Sequence, residues 1–176
     1  MRFRSLLQAA ILLAVGLVVH QVTPPILFGM KPDFLLGMMF IIILMEPTPQ
    51  EVLVVGLLSG ILTALTTSFP GGQFGNMVDK PVTAFVAYGL TLLIKKAPRP
   101  VKAAVVSFVG TIVSGATFLA AASLVTDLGK TIPSLLLAVV LPAAVINMIS
   151  VVLLYPVTEA VVSSVRRRGE SPDAVK

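Results

Sequence analysis

Apolar runs broken by short segments bearing proline and charge constrain this chain more than any other feature. The runs are continuously apolar and rich in Leu, Val and Ala, and none sustains the period-2 alternation of a barrel strand. A helix that is apolar all round belongs in a bundle core or in lipid. Charge decides between the two: only 12% of residues are charged, against roughly 25% in soluble domains. The chain therefore reads as an all-α integral membrane protein, a compact bundle of six transmembrane helices over residues 1–165 with a basic, polar cytoplasmic tail at 166–176. The helices are expected at about 5–22, 32–45, 51–67, 81–95, 101–125 and 132–165.

The breaks have local causes. Pro24 and Pro25 end the first run, and Glu46-Pro47-Thr48-Pro49 ends the second. Helices 2 and 4 fall short of the ~20 residues of a straight span. Either the bilayer thins there or the preceding loops dip into a protein-lined cavity. Pro142 predicts a kink in helix 6. The first run, after Met1-Arg2-Phe3-Arg4, has the composition of a signal peptide. His20-Gln21-Val22-Thr23 follows it without a small-x-small cleavage pattern, so it is read as a retained helix.

Charge also assigns the sides. An even number of spans puts both termini together, with Arg2, Arg4, Lys95, Lys96, Arg99, Lys102, Arg166, Arg167, Arg168 and Lys176. Lys31, Lys80 and Lys130 fall opposite. Basic residues collect in cytoplasmic loops, which places both termini inside the cell. The triplet Arg166 to Arg168 follows an apolar helix and lacks interleaved aromatics, so no nucleic-acid partner is expected. The partner implied by composition is the lipid bilayer.

The reactive repertoire is sparse. The chain has no cysteine and one histidine, His20, so no metal site and no cofactor are expected. No phosphate-binding Gly-x-x-x-x-Gly-Lys-Ser/Thr, Gly-x-Ser-x-Gly or His-Glu-x-x-His occurs. Ser107, Thr111, Ser114 and Thr117 recur at near-helical spacing in helix 5 and read as close helix packing rather than a nucleophile, because no base is placed beside them. The chain is not read as an enzyme.

Two charged clusters remain: Lys31-Pro32-Asp33 and Asp79-Lys80-Pro81. Each sets a lysine and an aspartate beside a proline, a residue suited to the first turn of a helix. Free amides at a helix start and a lysine suit a carboxylate, and an aspartate suits an ammonium group. Those are the needs of an amino-acid headgroup. Asn147, deep in helix 6, is a further pocket candidate, and Gln73 and Asn76 are loop or gate residues. Phe69 and Phe74 with the segment 25–28 supply apolar walls, and Pro70-Gly71-Gly72 a lid or a plain turn. The alternative for each aspartate is a helix cap paired with its neighbouring lysine, for which Asp33 is well placed. On helix 1, Ala10 and Ala14 lie one turn apart and permit close helix approach, within the bundle or with another subunit.

The stretches 30–40, which opens Met30-Lys31-Pro32-Asp33-Phe34, and 62–85, which contains Ser68-Phe69-Pro70-Gly71-Gly72-Gln73-Phe74-Gly75-Asn76-Met77-Val78-Asp79-Lys80-Pro81, resemble the tryptophan transporter family TrpP. That family is similar to the substrate-binding S components of energy-coupling factor (ECF) transporters. The resemblance implies a six-helix subunit of a prokaryotic cell membrane that binds tryptophan or a related amino acid near the outer face. It further implies docking through Ala10 and Ala14 onto a membrane T subunit, with two ATPase subunits driving uptake. Two other functions stay open: a non-transport scaffold of the rod-shape-determining MreD kind, and a stand-alone secondary amino-acid carrier. The carrier needs an ionisable residue deep in the bundle, and Glu46 and Glu159 read as too near the helix ends.

Overall fold

The computed structural model describes residues 3–24, 33–128 and 131–169. The expectations for Arg2, segment 25–28, Lys31, Lys130 and residues 170–176 lie outside the described residues. Six helical elements occur, with no strand among the described residues: α1 (Phe3–Val22), α2 (Phe34–Leu44), α3 (Pro49–Thr66), α4 (Gly72–Leu93), α5 (Arg99–Ala122) and α6. The last runs without a break through Ile132–Leu135, a π-helical stretch Leu136–Val140, and Leu141–Gly169. Stretches of α1, α3, α5 and α6 are long and apolar enough to cross a membrane.

The short α2 forms the core. Its 11 residues rise about 1.5 Å each, roughly half of a ~30 Å hydrocarbon layer. Leu35 to Leu44 are all buried, as an all-round apolar sequence requires. Phe40, Ile41 and Ile43 meet Leu13 of α1, Val52 and Val55 of α3, Ala84 and Ala87 of α4, and Val106 of α5 in one cluster. Tyr155 of α6 donates its hydroxyl hydrogen to the Leu44 carbonyl (3.3 Å), satisfying one of the carbonyls a helix end leaves open.

Both ends of α2 are closed by short-range chemistry. Asp33 caps its start, accepting from the Leu36 amide at 3.0 Å. At the other end Glu46 turns the chain with φ 59°, and a capping box starts α3: the Thr48 hydroxyl accepts from the Glu51 amide while Glu51 accepts from the Thr48 amide.

α4 departs from the sequence reading. It begins at Gly72, not at Pro81, and Pro81 lies inside it. The chain turns through Gly71, whose φ of 70° is the left-handed region open to glycine. Nine residues poor in helix formers are thus helical because packing overrides propensity. Gly56 and Gly60 of α3 let α4 come within side-chain distance: a Cβ on Gly56 would stand 2.9 Å from the Pro81 Cα, and one on Gly60 3.1 Å from the Asn76 carbonyl. Pro81 has no amide to donate to the Met77 carbonyl, a cost carried by that contact.

Near Pro142 the irregularity takes the form of a π turn. The Leu141 amide bonds the Leu136 carbonyl, five residues back.

Candidate functional site

The helices alternate in direction, so one end of the bundle collects the ends of α1, α3 and α5 with the starts of α2, α4 and α6. A cavity of about 260 Å³ lies there, slightly below the roughly 300–1,000 Å³ of small-molecule pockets. Its floor is the start of α2, Asp33, Leu35 and Leu36. α1 contributes Leu17 and His20, α3 contributes Thr63 and Thr66 with Thr67 just past its end, and α4 contributes Asn76, Asp79 and Lys80. From α5 come Thr111, Ser114, Gly115 and Phe118, and from α6 Val139, Val140, Ala143 and Asn147. The opposite end carries Lys95, Lys96 and the ion pairs Arg99–Glu159 (3.0 Å) and Lys102–Glu46 (3.5 Å).

The cavity's chemistry centres on Asp79 and Lys80, both buried. The ammonium of Lys80 donates to Asp79 Oδ2 at 2.5 Å and to Ser114 Oγ at 3.2 Å. Ser114 in turn donates to Asp79 Oδ2 at 2.8 Å, and Thr83 donates to Oδ1 at 2.7 Å. Both oxygens of the carboxylate are therefore engaged. The ammonium has three hydrogens and two acceptors among the described residues, which leaves one for a further acceptor. A buried charge is tolerated only when paired and hydrogen-bonded in this way.

Asp33 is different. Its carboxylate is 31% exposed and lies 3.9 Å from Nδ1 of His20. Its backbone amide donates to Asn147 Oδ1 at 2.8 Å, and Asn147 Nδ2 donates to Thr111 at 3.4 Å. Asn147 thus ties α2 and α5 to α6 at the cavity wall. Thr63 donates its hydroxyl hydrogen to the Ser59 carbonyl at 2.7 Å, so it presents only an acceptor to the cavity. Phe118 stands edge-on to Phe69, ring centroids 5.3 Å apart.

The structure brings Asp33, Asn76, Asp79, Lys80 and Asn147 around one space. It does not bring Gln73 or Phe74 there: both lie on the exposed side of α4. Phe69 reaches the wall only through Phe118, and Pro70 to Gly72 form the tight turn into α4. The two aspartates do not share the helix-start position expected of both. Asp33 sits at a helix start, whereas Asp79 and Lys80 lie two turns inside α4, away from its free amides. Nor is the hydroxyl face of α5 mere packing. Ser107 bonds its own helix, but Thr111 and Ser114 reach across to α6 and α4. The register of Thr111 and Ser114, three apart, was the available signal; His20 and the threonines of α3 carried none. Among the described residues no cluster of three metal-ligating side chains occurs.

Apolar helices of membrane-spanning length around a cavity that mixes apolar walls with a few buried polar groups fit a helical membrane protein with a small-molecule site. The chain belongs to the tryptophan transporter TrpP family, whose profile matches residues 2–163. It is similar to a Bacillus subtilis protein named a probable tryptophan transport protein, with 44% identity over 176 residues and 100% of both chains covered. A Clostridium acetobutylicum protein of the same name is 41% identical over 150 residues, covering 85% of this chain and 88% of that one. No solved structure matches. The family is one of transporters, not of enzymes, and its member described here is embedded in a membrane.

Proposed function

We propose that this chain binds tryptophan in the cavity and carries it across the bacterial cell membrane, as the substrate-binding S component of an ECF-type importer. In this reading six helices span the bilayer, both termini are cytoplasmic, and the cavity faces outward. The observation that carries it is the pairing, across one cavity, of a buried ammonium with a donor to spare and a carboxylate open to the space. Lys80 receives the substrate carboxylate and Asp33 its ammonium group. Asp79, saturated by Thr83, Ser114 and Lys80, is the partner of Lys80 and not a second ammonium site. Phe118, Val139 and Val140 line the place for the indole, and Thr63 offers an acceptor for its N–H. Lys31 remains a second candidate for the carboxylate.

Purified protein should gain thermal stability from tryptophan above all other amino acids, since a ligand that binds only the folded state raises its stability. Asp33→Asn keeps the cap, asparagine being as good a cap as aspartate, but removes the charge. It should weaken tryptophan by about one to two decades. Unchanged affinity in that variant would remove Asp33 from the site.

The partner subunits are argued from α1, where Ala10 and Ala14 lie exposed beside Leu7, Ile11 and Val18 while Ala9, Leu13 and Gly16 face the bundle. Bulky leucines at Ala10 and Ala14 should stop uptake in cells while the isolated protein still binds tryptophan. The buried Asp79–Lys80 pair also supports a second reading, a stand-alone secondary carrier, because it supplies the deep ionisable group that such a carrier needs. Gradient-driven uptake by the chain alone in proteoliposomes would favour the carrier. Uptake that requires a T subunit, ATPases and ATP would favour the S component.

A further inference from the structure

We propose that Ser114 is a positioning residue for substrate recognition: its hydroxyl fixes where the Lys80 ammonium presents its remaining hydrogen. The inference rests on the proposed role of Lys80 as the carboxylate site and deepens it.

Neighbouring residues on a helix point about 100° apart, so Asp79 and Lys80 do not face each other by helix geometry. The pair forms because the flexible lysine stem folds back, and a flexible stem needs a second restraint to hold one position. Ser114, across on α5, is that restraint. A hydroxyl has one hydrogen, and that of Ser114 goes to Asp79 Oδ2 at 2.8 Å. Its oxygen is left to accept from Lys80 Nζ at 3.2 Å. The reverse arrangement is excluded, since an ammonium has no acceptor. Ser114 therefore closes a three-membered ring of contacts, and it is 4% exposed while lining the cavity.

Thr83 marks the contrast. It holds the other oxygen of Asp79 from within α4 and is not among the hydrogen-bond partners of the Lys80 ammonium. Removing Thr83 loosens the carboxylate alone. Removing Ser114 leaves the ammonium held by Asp79 alone and free to swing about that one contact, so its remaining hydrogen is no longer fixed toward the cavity.

The test compares two ligands that share the indole and the ammonium: tryptophan, and tryptamine, which has no carboxylate. Binding of each is measured by calorimetry on the full chain in detergent, with the thermal midpoint as the folding control. Ser114→Ala should lower the preference for tryptophan over tryptamine by about tenfold, the worth of one hydrogen bond to a charge. Ser114→Thr, which keeps the hydroxyl, should restore most of it, and Thr83→Val should leave the preference near that of the parent. If Ser114→Ala does not fold, Ser114→Cys is read instead; the thiol is a weak donor and acceptor, and the same loss is expected. Equal weakening of both ligands in Ser114→Ala, or no change in either, would overturn the positioning role while leaving the Lys80 assignment intact. A parent protein that binds both ligands alike would overturn the Lys80 assignment, and the role of Ser114 with it.

Discussion

Asp79 and Lys80 are adjacent in sequence and bond each other directly, and the pair is held from across the bundle by Ser114 of α5, which bonds both, while Thr83 of α4 engages only the other oxygen of Asp79. Truncating one member of a buried pair strands the other charge, at a cost of about 3–5 kcal/mol, whereas replacing both by neutral groups of similar volume is often tolerated. Asp79→Ala and Lys80→Ala should each lower the thermal midpoint sharply. Asp79→Asn combined with Lys80→Met should recover much of that stability while tryptophan binding stays lost. Singles as stable as the parent would show that water reaches the pair. At this scale the sequence was half legible. Charge in an apolar chain marked Asp33, Asp79 and Lys80, because such groups are expensive in lipid. Which oxygen meets which hydrogen depends on the register between α4 and α5, and no local pattern encodes it. The exposed positions of Gln73 and Phe74 show the same limit. Reading a loop at 68–80 gave them no helix face, while the helical register turns both away from the cavity that Asn76 lines.

At the scale of the element, α4 teaches the most. Glycine, asparagine, aspartate and proline between residues 72 and 81 argue against a helix one residue at a time. The helix forms because Gly56 and Gly60 of α3 form a flat strip against it, and two glycines four apart were in plain view as a packing signal. The other five helices were legible within a few residues, since length, apolarity and flanking prolines act locally. The short α2 was legible too, with a thinned bilayer or a protein-lined cavity as its two readings. Its missing turns leave room at the bundle end, and the cavity occupies that end. The α3–α4 contact should therefore control the site. A methyl group on Gly56 would stand 2.9 Å from backbone at Pro81 and 3.0 Å from Ala84 Cβ, so the helices must move apart. Gly56→Ala should lower the thermal midpoint and weaken tryptophan, although residue 56 does not line the cavity. Gly89, with nothing within 4 Å of an added Cβ, is the control: Gly89→Ala should preserve both. Equal behaviour of the two variants would show that the α3–α4 spacing adapts freely.

For the whole molecule the question is which end faces the cytoplasm. The bundle is polarised. The cavity lies at one end, and the α4–α5 connection with Lys95, Lys96, Arg99 and Lys102 lies at the other. Basic residues near membrane ends are retained on the cytoplasmic side, so the proposed topology turns the cavity outward, as the proposed import from outside requires. The chain contains no cysteine, so single cysteines report position without background. Gly72 is unsuitable, because a Cβ there would lie 2.6 Å from the Thr67 hydroxyl. Ser68, exposed in the turn before α4, and Pro98, exposed before α5, probe the two ends. In intact cells Ser68→Cys should react with a membrane-impermeant thiol reagent, and Pro98→Cys should react only after the membrane is opened. The reverse pattern would turn the cavity toward the cytoplasm. The site would then be one from which substrate is released or exported, and uptake from outside would need a second binding state.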